Sequence, residues 1–513
     1  MVTSGDVNEA SGFAPARREP APLYRAWPRH LLLLAGIVLL AAALRFFALS
    51  RESLWFDEAF SVSVAEWDPK WVILKLTELG LRSTDRNLFH LMLHYVILLG
   101  RSEVLVRAIP AISGILSVIA LYALGKRLMG QTVALLAAFL LAVSPMHVWY
   151  SREARGYALL ALFGLLAAYF MLRALSDNRI ESWLGYVVLS ACAAYTHSFG
   201  VLVIAALNLF AVLRFIMLRG PRAVIARWFV AQVVLGLALA PFVRELTGQT
   251  SEGWGSWIGE KYGVPTLKTL GITMGLFSFN TAFDQNRRVY VLGLLVFAVP
   301  CLVALIIGLR YVRRHGWWQE RGEAVAFALI YLVAPIGALF LASQFTPLYL
   351  ERYLLPFVPP YLLIVAYGLI SMPRLEWRAA LMLALLAITI AGLLAVYTPG
   401  QKEDWRGGAA YVAAGAQDGD MIVIYDAYAS IPFDFYYQGK TREIAISRFA
   451  GDEELAQQAA AIASVRGRVW LVLSHADEKR LMSVVETKPG VTLNADRRFL
   501  GLHIVTYDVS APR

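Results

Sequence analysis

The chain has little charge for its length. Charged residues make up 16% of its 513 positions and hydrophobic residues 58%, whereas soluble proteins average about 25% and about 45–50%. This composition excludes an ordinary soluble protein and predicts an integral membrane protein. Acidic residues are fewer than basic residues: the chain has 37 Asp and Glu and 47 Lys and Arg, which gives a net charge of +10. In a membrane chain basic residues mark cytoplasmic loops, so this charge does not predict binding to nucleic acid.

Cysteine is also scarce. The two cysteines, Cys192 and Cys301, both lie within apolar runs, which excludes a disulfide framework or a zinc-finger pattern. No internal repeat is present, and no small-residue cleavage site follows the first apolar run. We therefore interpret residues 31–49 as a retained anchor and residues 1–30 as a disordered cytoplasmic tail.

Long apolar runs are abundant. A membrane span needs roughly 20 apolar residues, and eleven runs qualify: 31–49, 104–124, 131–149, 157–174, 183–199, 201–218, 228–243, 289–309, 324–343, 354–370 and 379–397. The segment 88–100 is shorter and predicts a helix at the membrane interface. Arginine is concentrated in the loops that this count places inside, which predicts a cytoplasmic N-terminus in the plasma (inner) membrane. Two long loops, 50–103 and 244–288, and the C-terminus are then extracytoplasmic.

The composition changes after residue 398. Strand-length apolar runs at 421–425, 468–473 and 502–507 alternate with helix-like stretches at 405–415, 452–465 and 477–487. This alternation predicts a small α/β domain over residues 399–513. The predicted fold is thus a polytopic α-helical membrane protein, with a transmembrane module at 31–398 and a C-terminal α/β extracytoplasmic domain.

The first outer loop carries paired acids. The sequence RESLWFDEAFS places Asp57 and Glu58 among Leu54, Trp55 and Phe56. Burial among aromatic rings and mutual repulsion should raise the pKa of one carboxyl, which is how a site obtains a general base near neutral pH. The alternative is an interfacial aromatic belt with solvated acids.

Two further outer segments are charged. HVWYSREARGYALL (147–160) places Arg152, Glu153, Arg155 and Tyr157 in a short turn, and TPLYLERYLLPFVPP (346–360) places Glu351, Arg352 and Tyr353 at the start of a span. Arginine suits phosphate contacts, so we expect Arg155 and Arg352 to meet at a lipid phosphate. The alternative for the first segment is a pair of snorkelling arginines with Glu153 as their ion-pair partner.

These segments carry a family resemblance. LWFDEAFS (54–61), SREARGY (151–157), YTHSFG (195–200), ERYLLP (351–356) and DWR (404–406) follow one another in this order. Over nearly its whole length the chain resembles GT-C fold glycosyltransferases of the protein O-mannosyltransferase-like and lipid A aminoarabinose transferase-like group. One departure is the absence of Pro-Pro before the interfacial helix, where the chain reads DRNLFHLMLHY (85–95). Acceptor specificity is therefore not carried over from the family.

The resemblance implies an inverting hexosyl- or pentosyltransferase that uses a polyprenyl-phosphate-linked sugar. In the family the first-loop acid is the catalytic base, which assigns this role to Asp57, with Glu58 beside it and a second acidic position at Glu153. The acceptor would be a lipid, glycan or protein, and the enzyme would lie among membrane lipids. The expected phosphate-binding residues are Arg155, Arg352, Tyr353 and Arg152, and the further candidates are Tyr157, His197 and His94. For both histidines a structural role is the alternative.

A metal ion is a further option. Asp57, Glu58 and Glu153 are hard oxygen ligands that could bind Mg²⁺ or Mn²⁺. The arginines could supply the positive charge instead, and the sequence leaves both possibilities open.

Two other classes of protein compete with the enzyme. A lipid-linked glycan transporter or flippase would place its ionisable residues near the bilayer midplane, whereas here the acids lie at the outer ends of spans. A glycan-binding assembly protein could stack sugars on the aromatic-rich segment 425–437, which reads equally as a helix with a core face.

Overall fold

The computed structural model describes residues 28–74, 87–218, 220–248, 256–281, 286–316, 319–465, 467–475 and 477–510. The predicted disordered tail falls almost entirely on residues 1–27, which lie outside these ranges. Residues 85–86, where the interfacial segment departs from the family pattern, also lie outside them.

The described chain starts with one long apolar helix and continues into a loop of short helices. These are α1 (Arg29–Phe46), α2 (Phe56–Ala65), α3 (Pro69–Leu74), α4 (Asn87–Ile97) and α5 (Glu103–Val106). α2 begins directly before Asp57 and Glu58, where acids are favoured by the helix dipole. α4 has 11 residues, fewer than the roughly 17 that a span requires.

The remaining transmembrane module is a bundle of apolar helices: α6 (Ala108–Met129), α7 (Gln131–Val143), α8 (Pro145–Tyr150), α9 (Tyr157–Asp177), α10 (Ile180–Thr196), α11 (Gly200–Leu218), α12 (Arg222–Gly248), α13 (Ser256–Tyr262), α14 (Leu267–Phe279), α15 (Arg287–His315), α16 (Glu320–Ala342), α17 (Val358–Ile370) and α18 (Leu375–Tyr397). A 3₁₀ turn, Glu351–Phe357, leads into α17. Among the described residues, nine helices are long and apolar enough to cross a membrane.

The other two predicted spans coincide with shorter helices. α10 has 17 residues, and the run 131–149 is divided into α7 and α8 at Ser144. The break follows from Pro145, which begins a new helix and cannot continue α7. The buried Arg45 of α1 donates to the carbonyls of Leu141 and Ala142 in the last turn of α7, where the helix ends and its carbonyls need donors from outside. A Cβ on Gly114 would lie 2.6 Å from Arg45 Nε, so a glycine is needed for this packing.

The C-terminal region is a mixed sheet with helices on both faces. Its strands are β1 (Met421–Tyr425), β2 (Arg442–Ile446), β3 (Gly467–Leu473), β4 (Val491–Phe499) and β5 (Leu502–Val509), in the order β2-β1-β3-β5-β4. β1 pairs in parallel with β2 and β3, and β5 pairs antiparallel with β3 and β4. The helices are α19 (Trp405–Gly415), α20 (Ser430–Tyr436), α21 (Asp452–Ala463) and α22 (Glu478–Glu486). Every residue of β1 is buried because both of its faces are covered, which explains its continuous apolar run. The predicted fold class is confirmed.

The sheet domain packs onto the loop between α1 and α6. Tyr436 of α20 accepts a hydrogen bond from the Leu54 amide at 2.7 Å and donates to Glu103 at 3.1 Å. Tyr428 makes an edge-on ring contact with Phe56, with centroids 4.8 Å apart. These rings therefore join the two modules, and the buried Phe433 gives α20 the core face that was one reading of segment 425–437.

Candidate active site

Glu58 is the acid with the most donors in the loop between α1 and α6, among the residues that the structure describes. It is fully buried, and Arg107, which precedes α6, donates to both of its carboxylate oxygens at 2.7 Å. The same guanidinium donates to the carbonyls of Leu49, Glu52 and Ser53, so it fixes the path of the chain between α1 and α2. Glu58 is thus an internal anchor of the loop.

Two more donors complete the surroundings of Glu58. Lys402 Nζ donates to Oε2 at 2.8 Å, and the Ala154 amide donates to Oε1 at 2.9 Å. Burial by itself would raise the pKa of Glu58, but Arg107 and Lys402 outweigh it and lower the pKa to about 2. The raised pKa expected for one carboxyl of the acidic pair is therefore not found at Glu58, because two cations from distant segments of the chain surround this carboxylate.

Asp57 faces a different partner. Its Oδ2 accepts a hydrogen bond from Arg352 Nη1 at 3.0 Å, and both side chains are 19% exposed. Arg352 comes from the 3₁₀ turn that precedes α17. Neighbouring residues of α2 therefore hold one carboxylate inside the protein and one at its accessible surface.

Glu153 is the buried acid with the fewest contacts. Its Oε1 lies 4.0 Å from Lys402 Nζ, and no donor among the described residues reaches its Oε2. Burial raises the pKa of Glu153 to about 7, with the charge of Glu58 adding to the effect and that of Lys402 opposing it. A carboxyl with such a pKa can exchange a proton near neutral pH.

Glu153, Arg352 and Lys402 line one cavity of about 270 Å³ between the helix bundle and the segment 401–403, which leads to the sheet domain. Its lining combines aromatic rings, two cations and two acids: Trp55, Trp149, Tyr150, Glu153, Arg352, Gln401, Lys402 and Glu403. Glu403 accepts a hydrogen bond from His475 Nε2 at 2.8 Å when that nitrogen is protonated. The arrangement can bind an anion and hold a proton within one small volume.

Comparison with known proteins identifies the fold. Residues 88–245 match the family described as dolichyl-phosphate-mannose-protein mannosyltransferase. ArnT from Cupriavidus metallidurans has a similar structure in its apo state, with 13% identity and a TM-score of 0.60 over 93% of this chain and 97% of that one. Its complex with undecaprenyl phosphate gives a TM-score of 0.59, with the same identity and coverage. This chain has the GT-C fold of membrane glycosyltransferases.

Two other solved structures support the same fold. The Archaeoglobus fulgidus oligosaccharyltransferase, in complex with Zn and sulfate, gives a TM-score of 0.55 at 14% identity, over 86% of this GT-C chain and 68% of that chain. The arabinofuranosyltransferase AftD from Mycobacteria gives 0.52 at 15% identity, over 95% and 40%. No curated protein matches the sequence significantly. The resemblance stated from the motifs is confirmed.

The two other predicted phosphate-binding arginines of this GT-C protein point to backbone groups. Arg155 is 6% exposed and donates to the Asp57 carbonyl at 3.3 Å, with Ser61 Oγ at 3.5 Å. Arg152 donates to the carbonyls that end α1, those of Leu44, Arg45, Phe47 and Ala48. Both arginines therefore hold elements of the site together, whereas Arg352 lines the cavity itself.

Three predicted residues form a buried aromatic cluster. Tyr353 stacks on Phe199 with centroids 4.6 Å apart, and His197 lies 5.2 Å from Tyr353 and 5.4 Å from Tyr157. All are buried, and the cluster reaches Arg352 through Tyr353, whose ring centroid lies 5.8 Å from the guanidinium carbon. His94 is remote from it, since its Nδ1 lies 2.7 Å from the Ala65 carbonyl and links α4 to α2. For both histidines the contacts correspond to the structural alternative.

The predicted metal ligands do not fit a divalent ion. Arg107, Lys402 and the Ala154 amide already occupy the carboxylate of Glu58, and Arg352 occupies one oxygen of Asp57. Within the part of the chain that the structure describes, no group of three or more acidic, His or Cys side chains is arranged to hold a metal. The carboxylates of Glu58 and Asp57 are instead paired with cationic side chains of the protein.

Sequence reasoning missed both buried cations. Arg107 was read as part of the predicted span 104–124, and Lys402 lies in the link between α18 and the sheet domain. A charge within the first residues of a predicted span was the available signal for Arg107. For Lys402 the only signal was its position two residues before the DWR motif.

Proposed function

We propose that this GT-C protein transfers a sugar from a polyprenyl-phosphate donor to an acceptor at the outer face of the membrane, with inversion at the anomeric carbon. The observation that carries the proposal is the cavity where Arg352 and Lys402 face Glu153, with Asp57 paired to Arg352. The binding of undecaprenyl phosphate by ArnT from Cupriavidus metallidurans, which has the same fold, supports a lipid phosphate as the ligand.

Arg352 is the proposed phosphate ligand. Its guanidinium lines the cavity and is partly exposed, so a phosphate can approach it without unfolding the loop. A planar guanidinium binds phosphate oxygens in pairs and stabilises the negative charge that develops when the phosphate leaves. Arg155, behind Asp57, contributes positive charge at longer range and holds the backbone of α2.

Asp57 is the proposed base. It takes the proton of an acceptor hydroxyl, the acceptor oxygen forms a bond to the anomeric carbon, and the bond from that carbon to the phosphate oxygen breaks with its electron pair on the phosphate. A donor phosphate that draws Arg352 toward itself would leave the Asp57 carboxylate available for the proton. Glu153 is a second place for a proton in the same cavity.

The proposed sidedness follows from the loop charges. Arg173 and Arg313 lie at the opposite ends of their helices from the cavity, and they are assigned to the cytoplasm. The module at 31–398 is then the membrane part, and the domain at 399–513 lies outside, where it closes the cavity and helps to bind a lipid, glycan or protein acceptor. Charges at the outer helix ends favour an enzyme over a transporter or flippase.

The test is to identify the lipid that accompanies the purified protein. Native mass spectrometry of the protein in detergent should reveal a bound polyprenyl phosphate or phosphosugar, whose mass names the sugar. Synthetic undecaprenyl phosphate should compete with it. Recovery of bulk phospholipid alone, together with no binding of added undecaprenyl phosphate, would contradict the proposal.

A further inference from the structure

Lys402 has an unusual position for an active-site cation. It belongs to the segment that links α18 to the sheet domain, yet its ammonium lies between two acids of the transmembrane module. Nζ is 2.8 Å from Glu58 Oε2 and 4.0 Å from Glu153 Oε1, and the side chain is 9% exposed. The segment is fixed at its backbone too, since the Gly400 and Gln401 amides donate to Glu52 Oε1 at 2.9 and 2.8 Å. The ammonium is therefore held in place before any substrate binds.

The surroundings of Lys402 are those that a divalent ion would need. A metal beside a phosphate supplies a compact positive charge, held by carboxylates, that stabilises the leaving oxygen. The ammonium group is likewise a compact point charge, with three donor hydrogens. Glu58 and Glu153, two of the three acids expected to bind a metal, instead converge on this ammonium. The ring of Trp149, with its centroid 6.0 Å from Nζ, covers one side of the charge.

We propose that Lys402 is a catalytic residue that takes the place of a divalent ion, so that sugar transfer by this protein needs no metal. The inference rests on the proposed function. As the bond between the anomeric carbon and the phosphate oxygen breaks, its electron pair and the new charge stay on the phosphate, beside Lys402 and Arg352. The proton of the acceptor hydroxyl goes to Asp57, and the acceptor oxygen forms the new bond to carbon.

Glu58 holds the ammonium in place without neutralising the site. Its carboxylate is shared with Arg107, so the three side chains together carry a net positive charge. One hydrogen of Lys402 serves Glu58, and Glu153 at 4.0 Å lies beyond hydrogen-bond range. The lysine can thus donate to a phosphate that enters the cavity it lines.

The experiment measures binding of undecaprenyl phosphate to the full-length protein in lipid nanodiscs, after treatment with EDTA. Wild-type affinity should not change with EDTA or with added Mn²⁺. Lys402→Gln should weaken binding roughly 10- to 100-fold, the range for a lost charge-assisted hydrogen bond. Lys402→Arg should retain part of the affinity, and Lys440→Gln, at an exposed lysine of the sheet domain, should retain all of it.

A second arm of the experiment tests whether a metal ion can replace the ammonium group removed from position 402. In Lys402→Gln the carboxylates of Glu58 and Glu153 lose their shared ammonium, while Arg107 and the Ala154 amide still occupy Glu58, so added Mn²⁺ should restore only part of the binding to this variant and leave the wild type unchanged. Thermal unfolding in detergent verifies that the variants are folded. If Lys402→Gln does not fold, the effect of EDTA and Mn²⁺ on undecaprenyl phosphate binding by the wild type tests the proposal.

Wild-type binding that EDTA abolishes and Mn²⁺ restores would overturn the proposal, as would unchanged affinity in folded Lys402→Gln. A wild type that binds no undecaprenyl phosphate would overturn the proposed function itself, and the role of Lys402 with it.

Discussion

Arg352 and Asp57, 295 residues apart in the chain, form an ion pair of 3.0 Å beside the cavity that Arg352 lines. The proposed base, Asp57, and the proposed phosphate-binding residue, Arg352, are thus paired with each other when no substrate is present. Donor binding and exposure of the base are coupled by this pair, because a phosphate competes with Asp57 for the same guanidinium.

The first prediction concerns Asp57. Asp57→Asn keeps the size of the side chain but cannot take a proton, so sugar transfer should fall by roughly 10²–10⁴ while donor affinity changes little. The measurement is transfer by the purified variant in lipid, with the donor identified by native mass spectrometry, and thermal stability serves as the control. Near-normal turnover in a stable variant would remove Asp57 from catalysis and make Glu153 the next carboxylate to test.

The second prediction separates two arginines. Arg352→Ala removes a guanidinium from the wall of the cavity and should weaken undecaprenyl phosphate binding by roughly 2–5 kcal/mol. Arg155→Ala should weaken it less and should lower thermal stability more, because that side chain is buried against Asp57 and Ser61. Arg352→Lys should restore part of the affinity, since lysine lacks the planar fork. Equal loss of affinity in both alanine variants would place the phosphate nearer to Arg155.

The third prediction concerns the buried ion pair. Glu58→Gln leaves Arg107 and Lys402 buried without their carboxylate and should destabilise the protein by about 3–5 kcal/mol. The matched control is Asp452→Asn, which breaks a surface ion pair with Arg480 and should leave the unfolding temperature unchanged. Similar unfolding temperatures for both variants would mean that the pair with Arg107 contributes little to folding.

The fourth prediction is a pH dependence of stability. The pKa of Glu153 rises from 4.5 to about 7 on folding. Between these two pH values the folded chain therefore retains a proton that the unfolded chain has already released. The native state therefore loses stability as pH rises from about 4.5 to about 7, by about 3 kcal/mol in total. Glu153→Gln lacks this titration, and its unfolding temperature relative to wild type should increase between pH 5 and pH 8. Parallel curves for the two proteins would show that Glu153 is charged throughout.

The fifth prediction tests the proposed sidedness. In a chain with Cys192 and Cys301 replaced by serine, single cysteines at Arg313 and at Phe449, both exposed, should react with membrane-impermeant reagents from opposite sides. Position 313 should label only after the membrane is opened. Labelling of both from one side would refute the three spans predicted between them. Labelling of position 313 from outside, with position 449 labelled only after the membrane is opened, would require segment 88–100 to cross the membrane.

Prediction from the sequence worked best for features that short stretches of residues determine. Apolar runs located the helices, and the resemblance of short motifs pointed to Glu153 and Arg352, which line one cavity, and to Asp57, which pairs with Arg352. The break at Ser144 was missed because its flanks are as apolar as a continuous span. Strands β2 and β4 were missed because they lie at the two edges of the sheet, where most side chains are exposed and no apolar pattern is required.

The partners of Glu58 could not have been found in this way. Arg107 and Lys402 lie 49 and 344 residues from it, and nothing in their neighbouring residues distinguishes them from ordinary flanking charges. Their contacts depend on how α6 and the link after α18 meet the first loop, which is a property of packing. For the same reason the sequence suggested a metal among the acids, while the structure supplies cations from distant segments.

The position of Lys402 has a consequence for biosynthesis. A ribosome that has finished α18 has produced all of the long apolar helices that the structure describes, but the lysine that completes the partners of Glu58 follows only five residues later, and the sheet domain after it extends to Val509. These helices can therefore be inserted while the proposed reaction centre is still incomplete. The proposed site is completed only when the sheet domain docks, and a chain truncated after α18 should reach the membrane without becoming competent for transfer.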